Sequence, residues 1–232
     1  MKLKKFKMEI VELPDKIIST PCTMLIAGSS MSGKSTFCRR LFDNQEHMFS
    51  EKPQSIIYCY KGPLNPQFSK MNNVECHYGL PELETVAKWV KKFDGKLFVL
   101  CLDDLMLDIA HNSLVEELTT RIVHHSNICL IITLQNIFQR GKSTRTSSLN
   151  AHYFCLMRSM RDRTQIKVLG SQMFANSKGF MEAYSDAVDS DKSSSYPYLF
   201  INCHPSPKVS RLNCQLFTNI FPDEAPLINY RL

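Results

Sequence analysis

The sequence predicts an α/β fold in which a mostly parallel sheet is covered by helices on both faces. Short apolar runs alternate with amphipathic segments along most of the chain. Continuous apolar strands of this kind are typical of a parallel sheet, because the crossover helices bury both of its faces. The chain has 232 residues and no internal repeat, which fits one core with a modest appendage. We therefore expect a three-layer sandwich.

The strands are predicted from short runs of β-branched, aromatic and other apolar residues. They are 22–28, 55–60, 96–104, 127–136 and 152–159. Helices are predicted at 34–44, 81–93 and 112–126, and 143–151 is predicted as a short helix or a loop. In the first helix Phe37, Cys38 and Leu41 have the spacing of one buried face. In the second, Pro81 at the first helical position is a start signal.

A polar, Ser-rich stretch separates this core from a C-terminal pair of predicted strands. Residues 186–197 are predicted as a flexible loop because of that composition. The runs 196–205 and 211–221 are predicted to form a β pair that closes the fold. We therefore expect one domain rather than two. Its parts are a basic lead-in at 1–21, a core at 22–185, and a loop with a β extension packed on the core at 186–232.

The composition is that of an ordinary globular domain, at 44% hydrophobic and 22% charged residues. A formal net charge of +6 is compatible with a polyanionic partner and does not require one. Four lysines lie within the first seven residues. They fit a solvated leading strand, and the alternative is a contact with DNA or an acidic surface.

The cysteines and the termini predict an intracellular, soluble protein. The nine cysteines are odd in number and include no CxxC pair, and Cys59, Cys101 and Cys129 lie inside apolar runs. Buried thiols in a reducing compartment explain this better than a disulfide framework. His124 and His125 have no metal-ligand spacing and are predicted at a helix end or on the surface. The N-terminus has no signal-peptide core, and no apolar stretch approaches the ~20 residues of a membrane span.

Residues 28–35, GSSMSGKS, match the phosphate-binding pattern G-x-x-x-x-G-K-[ST] in full, with a predicted strand before and a helix after. Gly28 and Gly33 allow backbone angles and a close approach that a Cβ would prevent. The backbone N–H groups and the helix N-terminus then face the phosphates. The predicted nucleotide-binding residues are Gly28, Ser29, Ser30, Met31, Ser32, Gly33, Lys34, Ser35 and Thr36.

The loop also predicts a magnesium nucleotide. Lys34 can reach the β- and γ-phosphates as a point charge, and Ser35 offers a hydroxyl to Mg²⁺. Two acids, Asp103 and Asp104, end a later apolar strand. We expect Asp103 to hold Mg²⁺ through its water shell and Asp104 to polarise a water beside the γ-phosphate. The alternative is an acidic turn at a strand end.

The next strand ends in Gln135 and Asn136. Polar side chains at the carboxyl ends of such strands line the crevice where ligands bind in open α/β sheets. Gln135 is therefore predicted as a catalytic sensor of the γ-phosphate. A pair of acids with a following polar sensor is typical of P-loop ATPases that hydrolyse ATP for work. No Asn-Lys-x-Asp guanine reader of GTPases is present.

Arginines are frequent after this strand, and they are Arg140, Arg145, Arg158, Arg161 and Arg163. In ring ATPases an arginine from one subunit completes the neighbouring site and stabilises transition-state charge. The alternatives are a basic face toward DNA or solvent, and an Arg-rich substrate lid at 157–164 in a nucleoside kinase.

Taken together, these residues resemble a known family. The ordered segments are AGSSMSGKST, SIIYCY, LFVLCLDDLM, LIITLQNIFQRGKSTRTSSLNAHYFCLMRSMRDRTQI, YPYLFINCHPSP and RLNCQLFTNIFP. From about Cys22 to Pro222 the chain resembles the genome-packaging ATPases of Polinton/Maverick elements and adintovirus-like viruses. These belong to the FtsK–HerA superfamily with the poxvirus-type packaging ATPases. The stretch after the sensor strand is the most specific part of the resemblance.

The resemblance implies a P-loop NTPase of the ASCE, FtsK–HerA type that drives double-stranded DNA into a capsid. It implies ATP and Mg²⁺ as cofactors, and DNA, a homo-oligomeric ring and capsid or portal proteins as partners. The expected location is the host cytoplasm or nucleus, at sites of virion assembly. Lys34 and Ser35 match the Walker A motif of this family. The acids Asp103 and Asp104 match its Walker B pair, and Gln135 matches its sensor.

Arg145 and Arg161 match basic positions of the family and are candidates for the arginine finger or a DNA contact. Two departures stand out: the loop is less glycine-rich than in many relatives, and Ser159-Met160 replaces an Asn-Pro pair before Arg161. Neither removes a catalytic group. Two other functions stay open on the residues alone. They are a small-molecule kinase with Asp104 as the base, and a non-hydrolysing nucleotide-binding assembly factor.

Overall fold

The computed structural model describes residues 6–14, 16–109, 112–138, 142–159, 163–189, 195–205, 214–224 and 226–232. The strands within them are β1 (Lys7–Val11), β2 (Cys22–Ala27), β3 (Ser55–Tyr60), β4 (Val74–Tyr78), β5 (Phe98–Asp103), β6 (Ile128–Leu134), β7 (Tyr153–Met157), β8 (Tyr198–Asn202), β9 (Gln215–Thr218) and β10 (Leu227–Arg231). The helices are α1 (Lys34–Asp43), α2 (Gln45–Met48), α3 (Pro66–Ser69), α4 (Leu83–Phe93), α5 (Met106–Ile109), α6 (Ser113–Glu117), α7 (Val123–His125), α8 (Lys142–Leu149), α9 (Arg163–Met173) and α10 (Ser177–Asp189). A π-helical segment, Leu118–Ile122, joins α6 to α7.

All the described strands belong to one sheet, in the order β1-β10-β9-β8-β7-β2-β6-β5-β3-β4. The neighbours from β7 to β4 are parallel, and those from β7 to β1 are antiparallel. The predicted α/β class, with a mostly parallel sheet and a C-terminal β extension, is therefore confirmed.

Each parallel strand contributes to a hydrophobic core on both faces of the sheet. In β2, Met24 and Ile26 pack in the core that contains Phe37 and Leu41 of α1. Leu25 and Ala27 alternate with them and pack in the core that contains buried residues of α4, α6, α9 and α10. This alternation follows from the two-residue repeat of a strand, and it confirms the three-layer sandwich.

Strand order determines which residues can meet. Strand β6 lies between β2 and β5, paired in parallel with both. The carboxyl ends of these three strands therefore lie side by side at one edge of the sheet. The P-loop follows β2, Asp103 ends β5 and Gln135 follows β6, so the predicted catalytic groups share that edge.

The extension continues the sheet without a break. Strand β8 pairs with β7 and with β9, as predicted for the C-terminal pair. Strand β1, inside the predicted lead-in, pairs with β10 from the other end of the chain, with Lys7 opposite Arg231. Met8 and Ile10 on this strand are exposed. Strand β1 of the lead-in is thus the outer strand at one end of the sheet.

Most predicted elements extend slightly beyond those of the structure, and two further differences concern the start of a loop and the start of a helix. The loop predicted to begin at 186 overlaps helix α10, which continues to Asp189 and buries Ala187 and Val188. Helix α4 begins at Leu83 with Glu82 as N-cap, so Pro81 precedes the helix instead of opening it. Pro81 is itself buried.

The predicted environments of the cysteines and of the paired histidines are confirmed. Cys59, Cys101 and Cys129 are fully buried, and burial raises the pKa of Cys59 to about 12. His124 and His125 lie exposed at the end of α7. None of the helices in the described ranges is long and apolar enough to cross a membrane.

His152, just before β7, carries a pH-dependent part of the stability. Its Nδ1 accepts a hydrogen bond of 3.0 Å from the backbone N–H of Thr23, which requires the neutral ring. Burial first, and then the neighbouring His204 and His124, lower its pKa from 6.5 to about 4. Between these values the unfolded chain binds more protons at this residue than the folded chain. The free energy of unfolding therefore decreases as the pH falls from 6.5 to 4.

His152→Asn is expected to flatten this pH dependence, because an amide oxygen keeps the acceptor for Thr23 and does not titrate. Urea unfolding at several pH values between 4 and 7 measures the slope (a window set by the ordinary and lowered pKa of His152). The control is His125→Asn on exposed α7, which should leave the slope unchanged. An unchanged slope in His152→Asn would show that other groups cause the pH dependence.

Candidate phosphate-binding site

The loop after β2 requires glycine at both predicted positions. Gly33 has a φ of +98°, and a Cβ there would lie 2.4 Å from a ring carbon of Tyr196. At Gly28 a Cβ would lie 2.5 Å from the Oγ of Ser32 and 2.6 Å from the Cβ of Met157. A side chain at either position would collide with these neighbours. Both positions must therefore be glycine for the loop to pass this close to them.

Lys34 lies over the loop that precedes it. Its Nζ donates to the carbonyl oxygens of Gly28, at 2.8 Å, and Ser29, at 3.0 Å. Burial lowers its pKa, while Asp103 and Asp104 raise it. An ammonium in this position can exchange the carbonyl oxygens for phosphate oxygens, which are stronger acceptors because they are charged.

Asp103 is buried, with 5% of its surface exposed, and it is held by hydroxyl donors. Its Oδ2 accepts from Ser35 Oγ at 2.8 Å and from Tyr58 at 2.5 Å. Its Oδ1 accepts from Thr133 Oγ1 at 2.6 Å. Three donors from three different elements fix the carboxylate at the edge of the sheet beside the P-loop.

Ser35 and Asp103 together fit a magnesium ion. Mg²⁺ prefers hard oxygen ligands and is bound in proteins through one or two carboxylates plus substrate phosphates and water. No cluster of three or more His, Cys, Asp or Glu side chains that could hold a metal occurs in the described part of the chain. A hydroxyl and a carboxylate that already touch are the donor set that a nucleotide-borne ion needs.

Asp104 has a left-handed backbone, with a φ of +54°, a conformation that Asp and Asn tolerate better than most residues. Its N–H donates to Thr133 Oγ1 at 3.0 Å, and its exposed Oδ1 accepts from Gln135 Nε2 at 3.2 Å. The backbone turn therefore directs Asp104 away from buried Asp103 and toward Gln135. The predicted base and the predicted sensor are in contact.

Two contributors to the site were not predicted from the sequence. Thr133 on β6 joins the two acids, since its hydroxyl donates to Asp103 and accepts from the N–H of Asp104. Tyr58 on β3 donates to Asp103, and burial, reinforced by that carboxylate, raises its pKa. The only sequence signal was a hydroxyl-bearing residue inside each apolar run.

Thr133→Val is expected to destabilise the fold by about 1–3 kcal/mol, because it leaves the Asp103 carboxylate and the Asp104 N–H without a shared partner. Urea unfolding measures the change. Thr133→Ser, which keeps the hydroxyl, should recover most of the loss. A Thr133→Val variant as stable as the wild type, with the loss found only in Thr133→Ser, would assign the role of Thr133 to packing of its methyl group instead.

Three of the five arginines after β6 lie within the described residues. Arg158 and Arg163 both pair with Asp189 at the end of α10, the former at 3.8 Å. Arg145 belongs to helix α8, which packs against α6. Arg140 and Arg161 lie outside the described residues. Assignment of an arginine finger therefore stays a prediction.

Two solved structures share this fold at low sequence identity. One is the genome packaging NTPase B204 from Sulfolobus turreted icosahedral virus 2 in complex with ATP-gammaS, with a TM-score of 0.51 and 13% identity over 84% of this chain and 96% of that one. The other is B204, the DNA-packaging ATPase from Sulfolobus turreted icosahedral virus, with a TM-score of 0.51 and 18% identity over 78% and 91%. No protein-family model matches the chain, and no curated protein matches it in sequence. The chain has the P-loop NTPase fold that these packaging ATPases share.

Proposed function

We propose that this protein is an ATPase that uses ATP hydrolysis to move double-stranded DNA into a viral capsid. The observation that carries the proposal is the contact between Asp104 and Gln135 at the edge that also holds Lys34. A base and a sensor in contact beside a P-loop suit a site that activates water and reports the loss of a phosphate.

Each residue of the site has a defined part in hydrolysis. Lys34 and the loop N–H groups bind and orient the phosphates. Ser35 and Asp103 would hold Mg²⁺, which when bound neutralises charge on the phosphates. Asp104 accepts the proton of the attacking water through its exposed carboxylate. Gln135 holds that carboxylate in place and senses the loss of the γ-phosphate after hydrolysis.

Three further observations support the proposed coupling of ATP hydrolysis to DNA movement. The fold is that of two proteins described as genome-packaging or DNA-packaging enzymes. The net charge of +6 favours a polyanion. The resemblance in the arginine-rich stretch implies a ring in which Arg145 or Arg161 completes the neighbouring subunit's site. Capsid or portal proteins would then be its protein partners.

Phosphate release with and without linear double-stranded DNA tests the proposal. We expect DNA to raise the rate severalfold, with the effect declining at high salt because phosphate contacts are screened. No stimulation, together with a strictly monomeric protein at high concentration, would contradict it. Transfer of labelled phosphate to a nucleoside would favour a kinase instead. ATP binding with turnover unchanged in Lys34→Ala would favour a non-hydrolysing assembly factor.

A ring is testable by mixing subunits. A Lys34→Ala subunit has a dead P-loop and intact arginines, whereas an Arg161→Ala or Arg145→Ala subunit has the reverse. If one of these arginines acts across the interface, mixed rings should hydrolyse ATP faster than either variant alone. Absence of rescue for both arginines would exclude them as fingers in trans.

A further inference from the structure

Two neighbouring cavities lie beside the phosphate-binding loop, and the larger one includes residues of the C-terminal extension. Met31, Gly33, Lys34, Ser35, Thr36 and Tyr196 line a groove of about 260 Å³ along the loop itself. A larger cavity of about 390 Å³ shares Gly33, Thr36 and Tyr196 with that groove. Its volume is within the range of about 300–1,000 Å³ typical of small-molecule sites. The two spaces are therefore neighbours that share Tyr196 as a lining residue.

Tyr196 supplies an aromatic ring to the lining of both cavities. It comes two residues before strand β8, and its ring lies so close to Gly33 that no Cβ would fit between them. The residue is 42% exposed, so part of the phenol faces open space. Aromatic rings in this setting are the usual platforms on which nucleobases stack.

A polar wall of the larger cavity is formed by other lining side chains, which are held by ion pairs and hydrogen bonds. Arg40 of α1 pairs with Asp223 at 2.5 Å and with Glu224, and its guanidinium lies 4.2 Å from the centre of the Phe221 ring. Tyr198 donates to the second carboxylate oxygen of Glu224 at 2.5 Å. The segment after β9 is thereby tied to the helix that follows the P-loop.

The charge of this wall selects the kind of group that fits. One guanidinium faces two carboxylates, so the wall has a net negative charge and many acceptor oxygens. Phosphates are repelled by such a wall, whereas hydroxyl and amino donors are attracted. Asn219, with its amide tied to the carbonyl of Pro226 at 3.1 Å, adds a further polar group to the lining.

We propose that this cavity binds the nucleoside end of ATP, with the adenine stacked on Tyr196 and its amino and ribose hydroxyl donors facing the wall of Asp223 and Glu224. The proposal rests on the proposed function only in taking Lys34 as the anchor of the phosphates. It adds that the C-terminal extension, and not only the P-loop core, contributes to nucleotide recognition.

Comparing ATP with inorganic tripolyphosphate tests the contribution of the nucleoside, because both ligands carry a chain of three phosphates and only ATP carries a nucleoside. Titration calorimetry with Mg²⁺ should give an ATP affinity about tenfold or more above that of tripolyphosphate. Tyr196→Ala should weaken ATP binding by about tenfold to a hundredfold and change tripolyphosphate binding by less than about twofold. Tyr196→Phe, the matched control, keeps the ring and should keep the affinity for ATP.

Equal weakening of both ligands by Tyr196→Ala, or no weakening of either, would overturn the proposal. A wild-type protein that binds tripolyphosphate as tightly as ATP would overturn it too. A photoreactive azido-adenine nucleotide gives an independent readout, since its label should fall on peptides containing Tyr196 or 219–224; labelling elsewhere contradicts the assignment. Failure of DNA to stimulate hydrolysis would leave these binding ratios unaffected, so the two proposals can fail separately.

Discussion

Lys34→Ala is expected to reduce the affinity for ATP by about a hundredfold or more. Hydrogen bonds to charged groups contribute about 1.5–3 kcal/mol each, and Lys34 has the reach to contact more than one phosphate oxygen. The loop carbonyls of Gly28 and Ser29, which now accept from its Nζ, would also lose their donor. Titration calorimetry with ATP and with tripolyphosphate measures the loss, which should be similar for both.

The control for this change is Lys88→Ala, a lysine on the exposed side of α4. It removes the same charge from the chain and should leave ATP binding unchanged. Comparable losses in both variants would mean that overall charge, rather than the position of Lys34, governs binding. Unaltered ATP binding in Lys34→Ala would remove the phosphate site from residues 28–35.

Asp104→Asn is expected to keep ATP bound and to reduce hydrolysis by about 10²–10⁴-fold, the usual contribution of a general base. Asparagine has the same shape and tolerates the left-handed backbone at this position. It can still contact Gln135, so the change removes the base and little else. Single-turnover phosphate release with pre-bound ATP separates this loss from any change in binding.

Asp94→Asn is the matched control. Asp94 also has a left-handed backbone, with a φ of +47°, and ends helix α4 on the surface. The Asp94→Asn variant should hydrolyse ATP at the wild-type rate. If Asp104→Asn turns over normally, Asp104 is not the base, and a different group must activate the water.

The sequence predicted the local features of the site because they depend on neighbours in the chain. The glycines and Lys34 occupy a short pattern whose strand and helix flank it directly. Asp103, Asp104 and Gln135 follow apolar runs, and parallel strands bring such ends to one edge. The contact between Asp104 and Gln135 therefore follows from two strands that were predicted in the right places, although both end slightly earlier than predicted.

The unpredicted features depend on which strands become neighbours. Thr133 can join the two acids only because β6 pairs with β5, and no single segment encodes that pairing. The pairing of β1 with β10 joins the two ends of the chain. Tyr196 of the extension likewise lies against Gly33, which is far from it in the sequence. Local patterns carry no information about such partners.

The most direct test of the central claim is a structure of the protein with Mg²⁺ and a non-hydrolysable ATP analogue. We expect its phosphates between Gly28 and Ser35, with Lys34 turned from the loop carbonyls to the phosphates. Asp104 and Gln135 should face the terminal phosphate, and an arginine from a neighbouring subunit should approach it. An analogue bound elsewhere, or a Lys34 still bonded to Gly28 and Ser29 with the nucleotide present, would contradict the proposed site.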